Sequence, residues 1–152
     1  MSTPTTTNTP PREPMTPAAM HQLLADLVSA WNDHDAERAA TFYAPDYYGI
    51  DVGQSGPQIG RNARINVLRH YIRAFPDLHF SSSSLVEGQQ AVLTWRMTGT
   101  HHAAIMGIPA TGRRIDVQGV SIMEIADGLI IRGTNIWDTA GFLRALRLLP
   151  EL

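Results

Sequence analysis

Apolar residues recur at helical spacing in some stretches of the chain and alternate with polar ones in others. Met20, Leu23, Leu24, Leu27, Val28 and Trp31 form one wide helical stripe. Thr16-Pro17 precedes it, an N-cap followed by proline at the first helical position. The polar run 32–35 ends this helix, and Asp35 caps a short second one through Tyr43, which Pro45 stops. Residues 46–59 hold Gly49, Gly53, Gly56 and Pro57 and read as a strand fragment and loop. A third helix follows Gly60, with Ile65, Leu68, Tyr71, Ile72 and Phe75 on one side, and Phe75-Pro76-Asp77 stops it. Strands are then expected over roughly 78–86 and 91–101, with a turn at Glu87-Gly88 and a Gly/Pro-rich connection at 107–113. A hairpin running 114–138 turns at Asp127-Gly128, a type I′ signal in which both central residues need positive φ. A closing helix starts near Asp138 and buries Phe142, Leu143 and Leu146. Helices first and consecutive antiparallel strands later predict an α+β fold with one curved sheet, not a doubly wound parallel one.

The last hairpin carries the strongest functional signal. Its odd positions share one face, which is apolar at both ends and small or polar at the centre: Gly119, Ser121, Gly133 and Asn135, with Trp137 beside them. A core face wants bulk throughout, so this pattern predicts a ligand pocket. The strand at 91–101 adds Leu93, Trp95, Met97 and Gly99 at odd positions. Trp95 and Trp137 either stack on a flat ligand or pack in the core. On the opposite face lie Thr94, Arg96, Val120 and Ile122, with few charges. Two readings stand for it: a homodimer packed sheet to sheet, or a threonine-rich exposed face.

Composition narrows the classes. Residues 1–16 are nearly all Thr, Pro, Ser and Asn and predict a disordered tail before a single domain at 17–152. Net charge is −2 with no basic stripe, so nucleic-acid binding has no electrostatic footprint. No signal peptide or membrane-length apolar run is read, which places the expected protein in the cytoplasm. Cysteine and lysine are both absent, which removes thiolate and Schiff-base chemistry. His101-His102 are adjacent strand residues that point to opposite faces, and no other histidines have ligand spacing, so neither metal nor cofactor is expected.

Tyr43-Ala-Pro-Asp46, Ala74-Phe-Pro-Asp-Leu78, Gly99-Thr-His101, Gly107-Ile-Pro-Ala-Thr-Gly-Arg113, Ile125-Ala-Asp-Gly128 and Trp137-Asp-x-x-Gly-Phe-Leu143 together resemble the SnoaL-like polyketide cyclases. These belong to the nuclear transport factor 2-like superfamily, which also contains ketosteroid isomerase. The resemblance covers roughly residues 18–150. It implies a cone-shaped α+β barrel, a curved antiparallel sheet covered by three N-terminal helices around an apolar cavity. The cyclases' acid/base aspartate falls here on Asn135 and their assisting histidine on Ser121. An amide can donate and accept hydrogen bonds but does not exchange a proton at neutral pH. A related branch hydroxylates polycyclic aromatic substrates without metal or flavin, through the substrate's own carbanion. Asp51 is similar in position to the general base of ketosteroid isomerase.

The expected function is therefore proton abstraction and enolate stabilisation on a hydrophobic, polycyclic or polyketide-derived carbonyl compound. Cyclase, isomerase and cofactor-independent hydroxylase chemistry all share that step. Asp51 is the expected base, with Asn135 and Ser121 binding the oxyanion. Tyr47, Trp95, Met97, His101, Gly119, Gly133 and Trp137 are the expected substrate-binding positions. Alternatives stay open: Asp51 as a solvated loop aspartate, His101 as a core or surface residue, and the whole pocket as a non-catalytic binding site. Asp138, ahead of a helical run, reads as an N-cap before it reads as a catalytic group.

Overall fold

The structure is a computed structural model and describes residues 14–152. The first helix, α1, spans Pro17–Asn32, and Thr16 caps it by accepting from the Ala19 amide. The expected tail falls mainly on residues outside the described range. At its end Met15 packs on the core, unlike a free tail, while Thr16 is the N-cap that the Thr16-Pro17 pair predicts. Helix α2 is Ala36–Ala40, capped by Asp35. Strand β1 follows at Tyr43–Asp51 and two-residue β2 at Gln58–Ile59. Helix α3 is Arg61–Ala74; strands β3 (His79–Glu87), β4 (Gln90–Thr100), β5 (Arg114–Ala126) and β6 (Leu129–Trp137) come next, and α4 (Thr139–Ala145) closes the chain.

Two expectations are corrected at β1. The second helix stops at Ala40, not Tyr43, and the strand runs from Tyr43 with Pro45 inside it. Pairing with β6 is interrupted between Tyr43 and Tyr48, so the proline, which has no amide hydrogen, sits where no ladder bond is needed. Burial of the Tyr43 and Tyr47 rings favours the extended form over a further helical turn. The sheet order is β2-β1-β6-β5-β4-β3. It is mixed and not wholly antiparallel, because β1 lies parallel to β6. No hairpin joins these two strands; β1 reaches β6 through a long excursion of chain, which permits either direction.

The Asp127-Gly128 turn has both residues at positive φ, as its sequence requires. Asp138 caps α4, its carboxylate accepting from the Gly141 amide at 2.8 Å. The core forms two clusters. One joins the α1 stripe to Tyr43, Tyr47, Leu68, Leu93, Met123 and Ile130. The other gathers Phe75, Met97, Ile115, Val117, Phe142 and Leu146. Trp31, Ile72 and Trp95 touch both. Among the described residues no helix is long and apolar enough to cross a membrane.

Candidate functional site

Strand register alone assembles the polar centre of the site. Asp51 on β1 lies opposite Asn135 on β6, and Asn135 lies opposite Ser121 on β5. Three polar side chains thus form one row across three strands, facing the helices. Trp95 on β4 pairs with Gly119, one step along the same face, and reaches diagonally to Ser121.

The row is a directed chain of hydrogen bonds. Trp95 Nε1 donates to Ser121 Oγ at 3.1 Å, and Ser121 donates to Asn135 Oδ1 at 2.6 Å. Asn135 Nδ2 donates to Asp51 Oδ1 at 2.6 Å. The other carboxylate oxygen accepts from Gln58 Nε2 at 3.0 Å, and Gln58 Oε1 accepts from Arg64 Nη1 at 3.2 Å. A carboxylate only accepts and a guanidinium only donates, so the orientation of both amides follows from what they bridge. Asp51 is 8% exposed. A buried carboxylate needs such donors, because an unpaired one costs several kcal/mol.

These groups form the wall of an otherwise apolar pocket of about 90 Å³ between the helices and the sheet. Leu27, Val28, Trp31, Tyr71, Phe80 and Met97 are among its lining, with Tyr47, Trp95 and Trp137. Phe80 meets Trp31 and Trp95 edge to face, with ring centres 5.2 and 5.6 Å apart. Burial pushes the Tyr71 and Tyr47 hydroxyls up to about 12, so both are neutral donors at physiological pH.

Arg64 also lines the pocket and is 9% exposed. Its guanidinium carbon lies 5.3 Å from the Tyr43 ring centre and 5.8 Å from that of Trp31, within cation–π range. Burial pulls its pKa down, but Tyr43, Tyr47 and Asp51 raise it further than burial lowers it, so the group stays charged. Nη1 donates to Gln58 Oε1, the Tyr43 side chain is a further hydrogen-bonding partner, and Nε is buried without an acceptor among the described residues.

Of the expected positions, Asp51, Ser121, Asn135, Tyr47, Trp95, Met97 and Trp137 meet at the pocket. His101, Gly119 and Gly133 are not in its lining. His101, one residue past the end of β4, is fully buried against Phe75 of the second core cluster, with Nδ1 held by Thr111, and does not line the pocket. The space above the glycines is occupied as well. A Cβ on Gly119 would run into the Trp95 ring, and one on Gly133 would lie 2.5 Å from the Tyr47 hydroxyl. The small residues at the hairpin centre make room for aromatic rings that then wall the pocket. The donors expected for an oxyanion are partly engaged: the Ser121 hydroxyl donates to Asn135 and one Asn135 N–H donates to the carboxylate, which leaves the second Asn135 N–H.

Sequence reasoning missed Arg64, Gln58, Trp31, Tyr71 and Phe80. Arg64 left a legible signal, because it stands in phase with Leu68, Tyr71 and Phe75 on the apolar side of α3. Gln58 left none, since only folding brings its loop beside Asp51.

A family model described as SnoaL-like polyketide cyclase matches residues 21–146. TsrD from Streptomyces laurentii has 27% identity and a TM-score of 0.81, covering 89% of this chain and 99% of that one. AclR from Streptomyces galilaeus, a proposed hydroxylase, has 23% identity and a TM-score of 0.80, covering 90% of each chain. IdmH from Streptomyces antibioticus, a proposed polyketide cyclase, has 25% identity and a TM-score of 0.72, covering 83% of this chain and 96% of that one. No curated protein resembles the chain in sequence at a significant level.

Proposed function

The chain belongs to the SnoaL-like polyketide cyclase family, and we propose that it abstracts a proton beside the carbonyl of a hydrophobic, polyketide-derived substrate, with Asp51 as the base. The observation that carries this reading is the buried Asp51 carboxylate at the wall of an apolar pocket, held on one oxygen by Asn135 and on the other by Gln58. Each oxygen keeps a further lone pair for a substrate proton. The chain from Trp95 through Ser121 and Asn135 fixes the direction of the carboxylate and so positions the base.

Cyclisation, double-bond isomerisation and cofactor-independent hydroxylation all begin with the enolate this step makes. Cyclisation or isomerisation is the leading reading. Hydroxylation is the second, favoured because the cyclases' own acid/base position carries Asn135, which holds its proton. At about 90 Å³ the pocket is smaller than an apolar cavity of roughly 150 Å³ that takes benzene. Any ring-bearing substrate, 2-tetralone included, therefore requires the aromatic wall of Trp31, Phe80 and Trp95 to part.

Exchange of the α-hydrogens of 2-tetralone in D₂O, followed by proton NMR, tests the base. The protein should accelerate exchange, and Asp51→Asn should slow it by about 100-fold or more while leaving 2-tetralone binding within a few-fold. An Asp51→Asn protein that exchanges as fast as the parent removes Asp51 as the base. A parent that binds 2-tetralone without accelerating its exchange supports a non-catalytic binding protein.

A further inference from the structure

We propose that Arg64 binds the oxyanion that forms when Asp51 takes its proton, so that the two residues together make a site for one enolisable H–C–C=O unit. The proposal rests on the reading of Asp51 as the base, and it assigns to α3 the role that sequence had given to Asn135 and Ser121. Those two residues direct their hydrogen bonds along the row towards Asp51. Arg64 is the cation in the pocket lining, nine-tenths buried, with Nη1 on Gln58, the Tyr43 side chain against the guanidinium and Nε unpartnered among the described residues.

The spacing of the pair is already measured by a chemical ruler. The Gln58 carboxamide spans from Asp51 to Arg64, presenting N–H to the carboxylate and C=O to the guanidinium. An H–C–C=O unit has a similar length and polarity, with its acidic C–H turned out of the carbonyl plane so that the breaking bond overlaps the π system. Lying in the pocket against Asp51 and Arg64, which both line it, the unit would present its acidic C–H to Asp51 and its carbonyl oxygen to the remaining Arg64 donors.

Charge is conserved throughout the step. The C–H bond breaks and its proton forms an O–H bond on Asp51. The electron pair left behind becomes the new C=C bond, and the carbonyl π pair moves onto oxygen. Before the step the pocket holds Arg64⁺ and Asp51⁻; after it, Arg64⁺, a neutral Asp51 and the enolate. The cation thus changes partner from a carboxylate one amide away to an oxygen in direct contact. A fixed charge in a dry site stabilises such a transferred charge more than it stabilises the neutral ketone. Stacking on Tyr43 and Trp31 holds the guanidinium in place before substrate arrives.

A phenol is a stable analogue of an enol, so the test is a binding titration of 4-nitrophenol, whose phenolate absorbs visible light. Asp51→Asn stands in for the protonated base. In that protein the bound phenol should ionise about one pH unit below the free compound, an approximately tenfold preference for phenolate. Adding Arg64→Met should abolish the shift, and adding Arg64→Lys should retain part of it. A full shift in the Asp51→Asn, Arg64→Met protein would overturn the proposal, and its loss instead in Asp51→Asn, Tyr71→Phe would assign the oxyanion to Tyr71. If Arg64→Met does not fold, 4-nitrophenolate is compared with the neutral ether 4-nitroanisole on the Asp51→Asn protein. Phenolate bound no tighter than the ether overturns the assignment. None of these readouts needs turnover, so failure of Asp51 in the exchange assay and failure of Arg64 here are separate results.

Discussion

His101 shows how one buried imidazole contributes to the pH response of the whole protein. It is fully buried beside Phe75, Nδ1 is held by Thr111, and Nε2 has no partner among the described residues. Burial lowers its pKa from the ordinary 6.5, outweighing the Ala103 backbone contact that raises it. Between that ordinary value and the lowered one, the unfolded chain binds a proton that the folded chain does not. Stability from this residue is therefore complete above about pH 6.5 and is lost as pH falls through the window. Melting temperature should drop from about pH 7.5 to about pH 5, and His101→Gln should flatten the drop; an unchanged slope would remove His101 as its source. Odd strand parity predicted an inward-facing residue, and His101 is buried although β4 itself ends at Thr100. Parity could not say whether the inner face at that point meets a ligand or Phe75, because the partner lies far away in the chain. Arg64 is the converse case: its helical phase put it on the apolar side of α3, and its charge argued against reading it there.

The last hairpin and its closing helix were the most legible elements, since turn chemistry, alternation and capping all lie within a few residues of one another. The Asp138 cap is a local device with a local cost. Asp138→Ala should destabilise the protein by about 1 kcal/mol in urea unfolding, and 4-nitrophenol affinity should stay unchanged, because the carboxylate serves the Gly141 amide and is not in the pocket lining. A loss of affinity without a loss of stability would return Asp138 to the site. Strand β1 was the least legible element. Four of its nine residues are Pro45, Asp46, Gly49 and Asp51, all poor strand formers. Gly49 is nonetheless needed, because Tyr47 folds back over both Gly49 and Gly133. Its strand form is dictated by β6 and by that ring, and neither is local in sequence.

At the scale of the molecule, the outer face of the sheet is laid out in rows. Leu85, Val92, Ile122, Thr134 and Ile50 stand in register across five strands, and Ser83, Thr94, Val120 and Ile136 form the next row. Leu85, Ile122, Ile136 and Ile50 are exposed apolar side chains. Arg96 pairs with Asp116 on one side of these rows, and Arg132 with Glu124 on the other. An apolar band between charged rims suits a second copy of the same sheet. Light scattering should report a homodimer at micromolar concentration, and Ile122→Arg with Ile136→Arg should give monomers; a monomeric parent would reject the sheet-to-sheet assembly. The row of Asp51, Asn135 and Ser121 has a consequence on the other side of the same sheet. Side chains alternate along a strand, so sliding β1 by a single residue would bring Ile50 to face Asn135 and send the carboxylate outwards. The amide would then be enclosed with nothing to receive its hydrogens. The same Asn135–Asp51 contact makes misregistered pairing of the parallel β1–β6 pair unfavourable. On the proposed reading of Asp51, the contact that readies the base also proofreads the fold.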